Sequence, residues 1–576
     1  MVFFHLQFLM RYKELLICYN YMSSRCKVNK YFTFLNFSIV ILIIFISSYT
    51  INSQLSSSFL INEILFLNPL PAAFGDQIEF SKQQAIEKFK TQFCGINSKP
   101  NSNQYVQEIK LTSECEMPLA ITNDDDEGGI WYISTKQGSL IFYEYKTKAF
   151  TKYEIPIWLP RDNPIDSYQV WDLKLDPSKE NVWFTDEKQN LIWKFNKENK
   201  VFEHFKIPET NLSFGTIYPV SIDFDNNGNI FFVGIRSQSL WIGNFSLMKS
   251  GTSDGITKIP LPVEDFKDFD PSIISTGSIV VDKKNNNVWI SVLAFGYKGQ
   301  IYKYDIANKA FKKYDIGDLP SPVGMTLDEK GNIWISDHGT SIFVKLNPLN
   351  GTLTKYVTSL ASPKIFAGEK INDQAYTLPY WMKKGLNNSI IFNEHTGNKI
   401  GIFYPEKLTL VEYWIPSQNK QFGQCPPDSP ENSCGIGNIL QITNESHNRS
   451  VWFTEWTENK IGYVDTSIPL PFSITTTENE ITLSPGESKE IKFDIKANTD
   501  SSLRPISSST LTPSGNLGTS YGVFSENSIK LKNDESKEIS FVFTLSNDVA
   551  IGNYILILGA EDDIISISKA ILIKVI

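Results

Sequence analysis

Nowhere in this chain is there a Walker phosphate loop, a Gly-x-Ser-x-Gly elbow, an HExxH pair or a Rossmann fingerprint. Those absences remove the commonest nucleotide-binding, serine-hydrolase and zinc-protease readings. Charge is also scarce, at 20% of residues, and no Lys/Arg stripe runs through the body. With a net charge of −9, nucleic acid is not an expected partner. No cysteine pair has CxxC spacing and no histidine lies beside one, so structural zinc is not expected. What the chain does have is aromatic residues, 13% of 576. That richness excludes disorder, and the length exceeds what one ordinary core can organise unless the fold is large and repetitive.

The six cysteines fall into three local pairs. Cys18 and Cys26 precede an uncharged stretch, YFTFLNFSIVILIIFISSY, at residues 31–49. That stretch is about long enough to cross a bilayer. Arg11, Lys13, Arg25, Lys27 and Lys30 precede it against one acid, Glu14. The positive-inside rule therefore puts residues 1–30 in the cytoplasm, a transmembrane anchor at 31–50 and the bulk of the chain outside. A cleaved signal segment ending in the small residues at 72–75 is the competing reading. On the oxidising side, Cys94–Cys115 and Cys425–Cys434 are the natural disulfides, with free thiols as the alternative. Residues 51–104 read as a linker with a short helix from Ser81, where Ser81 and Gln84 match a capping box.

The body repeats itself. An apolar strand with an aromatic centre recurs as GIWYIS, NVWFTD, NIFFVG, NVWISV, NIWISD, SIIFNE and SVWFTE, centred on positions 131, 183, 231, 289, 334, 391 and 452. A second strand follows each (LIWKFN and KIGIFY are examples), and a third follows six of them, as in FKIPE and EYWIP. The seventh third strand lies at the other end of the chain, as YVQEIKL at residues 105–111. A ring closed by that strand accounts for the mismatch and removes exposed sheet edges. The first strands are apolar on both faces, as sheets packed between two neighbours require. The expected fold is all-β: a seven-bladed β-propeller at 105–470, then a small β-sandwich, behind an N-terminal transmembrane helix. The repeated tryptophans are core in this reading.

At VWFTEWTENKIGYVD (451–465), IIFNEHTGNKIGIF (390–403) and SPVGMTLDEKGNIWISD (321–337) the chain resembles the streptogramin B (virginiamycin B) lyases and their propeller group. The resemblance implies Mg²⁺ near the ring axis and a histidine base in the turns before the last blades. Here those turns read SPVGM, TLPYWM and CGIGNILQI and hold no histidine; Asn438 is the nearest occupant. Strand-end acids do occur. Asp186, Asp337, Glu394 and Glu455 each end an aromatic strand, and Glu455 matches the family's carboxylate. Glu455, Glu394, Asp337 and Asn438 form a candidate oxygen set for Mg²⁺ or Ca²⁺; turn-capping and lysine pairing are the plainer alternative. His395 beside Glu394 is a candidate catalytic pair, although adjacent strand residues point to opposite faces. Trp456, Tyr380 and Trp381 are candidate ligand-stacking residues, with packing between blades as the alternative.

From residue 471 tryptophan disappears, and about seven alternating strand-like runs to 576 suggest an immunoglobulin-like sandwich without its cysteine pair. Two functional classes follow. One is a surface-displayed binding propeller for a glycan, peptide, small molecule or envelope protein at the axial face. The other is a metal-dependent carbon–oxygen lyase or lactone hydrolase. A purely structural envelope protein is the third reading.

Overall fold

A computed structural model describes residues 72–95, 99–159, 169–208, 216–361, 376–422, 425, 434–445, 449–511 and 520–576. The segments 1–30 and 31–50, with the expected membrane anchor, lie outside the described residues. No described helix is long and apolar enough to cross a membrane.

The aromatic strands do become the second strands of antiparallel sheets, and seven such sheets occur among the described residues. The innermost strand of each was not read from the sequence. These strands are Pro118–Asp124, Leu173–Leu175, Pro219–Phe224, Ile274–Asp282, Pro322–Leu327, Pro379–Lys384 and Ile439–Asn444. They hide because four open on proline and because all but the second pair through a register shift, which breaks the alternation a sequence reading relies on. The turns SPVGM, TLPYWM and CGIGNILQI are therefore the beginnings of these strands.

Hydrogen bonds join each sheet to the next around the full circle. Lys197 Nζ donates to Asp124 between the second and first sheets (2.7 Å), and Ile222 N to Asp172 between the third and second (3.0 Å). Thr276 Oγ1 donates to the Gly234 carbonyl (2.7 Å). Ser278 donates to the Val323 carbonyl and Ser336 to that of Tyr380. Asn393 Nδ2 donates to the Ile439 carbonyl (2.7 Å), and Thr454 Oγ1 returns to that of Leu119 (2.8 Å). The ring is closed by the strand Val106–Lys110, which pairs antiparallel with Lys460–Asp465, Glu108 opposite Gly462. The sequence reading of a circle zipped by its own N-terminal strand holds.

The repeated tryptophans are core. Trp131, Trp183, Trp289, Trp334 and Trp452 are buried. Four of their indoles donate to an acid at the end of the preceding strand, as Trp131 does to Asp124 and Trp334 to Asp328, both at 3.0 Å. This satisfies the one polar atom each ring carries into the interior.

Helix α1, Ala72–Phe93, starts nine residues before Ser81, so the Ser81–Gln84 signature sits inside it and caps nothing. The run that follows Pro71 in sequence holds no further proline, and the helix continues through it. From Ser81 onward the chain is one compact unit. There the helix is docked: Phe93 meets Trp456 (5.4 Å) and Phe422 (6.0 Å). Both expected disulfides are present. Cys94–Cys115 ties the helix end to the entry of the ring, and Cys425–Cys434 closes its own short loop.

Among the described residues the C-terminal region has nine strands, more than the roughly seven read from sequence, in two sheets. One is Phe472–Thr475, Ser488–Ala497, Ser536–Thr544 and Tyr521–Phe524. The other includes Ser501–Ser509, Gly552–Glu561 and Ile565–Val575. The short strands Glu480–Leu483 and Ile529–Leu531 complete the second; Ser501–Ser509 and Ile529–Leu531 are the two that were not read from the sequence. Ile565–Lys569 also pairs with Thr409–Tyr413, the outer strand of the sixth ring sheet. The two regions therefore share one continuous sheet, which covers an edge that would otherwise be open.

Candidate functional site

The strand-end acids Asp186, Asp337, Glu394 and Glu455 are wholly buried. Asp337 accepts from the Ser321 amide (2.6 Å) and the Thr340 hydroxyl (2.7 Å). Burial still pushes its carboxyl up to about 6, against the pull of those donors. Asp186 accepts from the Trp193 indole (3.1 Å) and the Gln189 amide (3.0 Å).

Glu394 and Glu455 each lie in a fully enclosed cluster, and the two clusters are copies. In the sixth sheet Lys399 stands between Glu394 (3.7 Å) and Glu412 (3.5 Å), and the Ser359 amide donates to Glu412 (3.0 Å). In the seventh, Lys460 pairs with Glu108 (3.1 Å) beside Glu455, and the Ser417 amide donates to Glu108 (2.9 Å). One lysine cannot neutralise two buried carboxylates. Glu394 is held well above the usual carboxylate range by burial, Lys399 opposing this and Glu412 adding to it. Glu455 is raised in the same way, by burial and then by Glu108. Among the described residues no cluster of three or more His, Cys, Asp or Glu side chains has the arrangement of a metal site. The structure thus does not gather Glu455, Glu394, Asp337 and Asn438 at one point.

The residue after each strand-end acid is the one that reaches the axial face. Four are Glu187, His338, His395 and Trp456. His338 and His395, from the fifth and sixth sheets, meet side chain to side chain, Nε2 to Nδ1, at 3.0 Å. His395 Nε2 then meets Asn438 Oδ1, from the seventh sheet, at 2.5 Å. Asn438 has a left-handed backbone (φ 55°), which asparagine tolerates better than most residues, and its carbonyl accepts from the Trp456 amide (3.2 Å). Burial pulls both imidazoles below their ordinary range. His338 falls further through its neighbour His395, whereas the bond to Asn438 partly restores His395. Both shifts favour the neutral imidazole.

Under this chain lies an aromatic floor. Tyr380 is 4.3 Å from the His338 ring and 5.9 Å from that of His395. Trp171, from the second sheet, crosses the ring to meet Tyr380 edge-on at 6.1 Å, and the Gln441 amide donates to its carbonyl (2.9 Å). Phe295 approaches His338 from the rim at 6.4 Å. Glu187, beside Trp171, is pushed up to about 7 by burial, against the amide of Gln169. Of the expected stacking residues, Tyr380 joins the histidines. Trp381 is buried between sheets, and Trp456 is covered by Phe93 of the helix. Glu187 and Trp171 were not chosen from the sequence.

A closed ring of four-stranded sheets, locked by its N-terminal strand and carrying a polar chain at one end of its axis, defines a β-propeller. Its fold is similar to that of a streptogramin B lyase, at 19% identity over 62% of this chain and 96% of the other, TM-score 0.47. Virginiamycin B lyase from Staphylococcus aureus is similar at 18% identity, over 62% of this chain and 98% of that one, TM-score 0.47. The extracellular domain of BT4673 from B. thetaiotaomicron is similar at 13% identity over 83% of this chain and 60% of its own, TM-score 0.43. No family model and no curated protein matches the chain.

Proposed function

We propose that this chain is an exported, seven-bladed β-propeller that binds a small neutral ligand, a glycan or a short peptide, at the axial face. One observation carries the reading. Three successive sheets deliver His338, His395 and Asn438 into one hydrogen-bonded chain over the Tyr380–Trp171 floor. Uncharged polar groups above aromatic rings suit a ligand with polar edges and an apolar face.

Two disulfides favour an oxidising compartment. The basic segment 1–30 before the apolar run 31–50 favours a membrane anchor with the rest outside. Residues 51–104 then lead from the membrane to the ring at 105–470. Residues 471–576 serve as an immunoglobulin-like module, fixed to the sixth blade by the shared sheet.

The alternative, a Mg²⁺- or Ca²⁺-dependent carbon–oxygen lyase or lactone hydrolase, has less support. Asp337 is engaged by turn donors, Glu394 and Glu455 each face a lysine cluster, and Asn438 Oδ1 is engaged by His395.

Calorimetric titration of the purified full chain with neutral oligosaccharides and short peptides tests the proposal. A binder whose affinity drops at least tenfold in Tyr380→Ala and His395→Ala is expected. Binding that ignores both substitutions would move the site off this face, and heat on titration with Mg²⁺ that is lost in Glu455→Gln would favour the lyase reading.

A further inference from the structure

We infer that Asn438 and His395 are positioning residues that lock His338 in one tautomer, so that the axial face presents a bare nitrogen, His338 Nδ1, and selects ligands that donate a hydrogen bond.

The argument is a count of protons along the chain. Asn438 Oδ1 has no proton to give, so His395 Nε2, 2.5 Å away, must carry one. A neutral imidazole has a single ring proton. His395 Nδ1 is therefore bare and can only accept. His338 Nε2, 3.0 Å from it, must donate. His338 has then used its one proton, and Nδ1 is left as a lone pair. Nδ1 has no hydrogen-bond partner among the described residues. Stacking of His338 against His395 (5.2 Å, 14° between planes) and contact with Tyr380 hold the ring in this orientation. Burial, which keeps both rings neutral, preserves the count.

The direction of the relay originates in the Asn438 amide. Were that amide turned about, Nδ2 would donate to His395, every bond would reverse and His338 Nδ1 would carry the proton. The two arrangements present opposite chemistry to a ligand: an acceptor in one, a donor in the other. A bare His338 Nδ1 is an acceptor at this face, so it takes a hydroxyl-bearing ligand and discriminates against an anionic one.

The selectivity rests on the axial face being the binding face; the tautomer does not. Full chain labelled with ¹⁵N-histidine, observed by long-range ¹H–¹⁵N correlation at neutral pH, reads the tautomer directly, with His338→Gln and His395→Gln supplying assignments. The expected spectrum has a pyridine-type Nδ1 and a pyrrole-type Nε2 on both residues. A pyrrole-type Nδ1 on His338 overturns the inference.

Asn438→Leu should replace the fixed pattern by a mixture, and an unchanged pattern would show that Asn438 does not set it. Leucine suits the backbone there, because Leu378 holds the corresponding place before the sixth sheet with φ 51°. For any neutral oligosaccharide that binds, its O-methylated derivative should bind at least tenfold more weakly; equal binding overturns the ligand class. Failure of the whole ligand panel with the expected tautomers would sink the binding proposal and leave the relay standing.

Discussion

The ring-closing strand is held by more than its backbone ladder, and Glu108→Leu exposes how much more. The carboxylate of Glu108 accepts from Lys460 (3.1 Å), from the Ser417 amide (2.9 Å) and hydroxyl (2.7 Å), and from the Asn101 amide (2.8 Å). Leucine fills similar space but leaves the buried Lys460 without its shortest carboxylate. Removing one partner of a buried pair costs about 3–5 kcal/mol. Glu458, 3.6 Å from Lys460, and Glu455 remain and can take part of the charge, so the loss belongs near the lower end, about 3 kcal/mol. For a ring of roughly 360 residues, with an unfolding entropy of about 2.1 cal/mol/K each, that lowers Tm by about 4 °C. The damage should also be local. Hydrogen exchange at Val106–Lys110 should quicken about 100-fold, since each tenfold corresponds to about 1.4 kcal/mol. Lys330→Ala, which breaks the exposed Lys330–Glu406 pair, is the control and should leave Tm unchanged. A Glu108→Leu variant with Tm within about 1 °C of the parent and undisturbed exchange at 106–110 would refute the claim that this cluster fastens the ring.

Two further outcomes follow from the same physics. Because burial raises Glu394 and Glu455, the folded chain keeps protons that the unfolded chain releases, so stability falls as pH rises above the ordinary glutamate value of about 4.3 toward the raised ones. Thermal unfolding between pH 5 and 8 should show this decline, and Glu394→Gln should flatten it; a parallel curve would mean that Glu394 is already ionised. Opening the Cys94–Cys115 bridge, which spans 21 residues, by the double substitution to serine should cost about 3 kcal/mol and free helix α1, read as lower Tm and faster exchange over Lys82–Phe93; retained protection in the helix would show that Phe93 and Trp456 suffice to dock it.

The circle was legible in the sequence because its evidence is combinatorial: seven aromatic strands, six third strands and one stray strand at the wrong end. Burial on both faces of VWFT and IWIS supported it. Most innermost strands were not legible because a shifted register, and in four of them a proline at the first residue, erases the period-two signal. The fusion of Thr409–Tyr413 to Ile565–Lys569 could not be read either, since pairing across some 150 residues leaves no local mark. The two disulfides were legible from spacing alone, each pair being close in sequence.

His395, Asn438 and Tyr380 were legible, but the strand-end acids lie one residue before the side chains that meet across the sheets, and strand parity explains why. In NIWISD, SIIFNE and SVWFTE the eye goes to the terminal acid. Yet each of these apolar strands carries one small polar residue just before it: Ser336, Asn393 and Thr454. That residue donates to the next sheet's innermost strand, Ser336 to Tyr380, Asn393 to Ile439 and Thr454 to Leu119. It therefore marks the face turned toward the neighbouring sheet. Side chains two apart share a face, so the residue two further on points the same way, past the end of the ladder. Counting from Ser336, Asn393 and Thr454 gives His338, His395 and Trp456; counting from Thr185 gives Glu187. The acid in between faces the opposite way, into the body of the blade, where Asp337 meets turn donors and Glu394 meets Lys399. A polar residue inside a doubly buried strand thus reports which neighbour the chain will touch at its end. For His338 and His395 that neighbour supplies the next member of the relay, ending on Asn438.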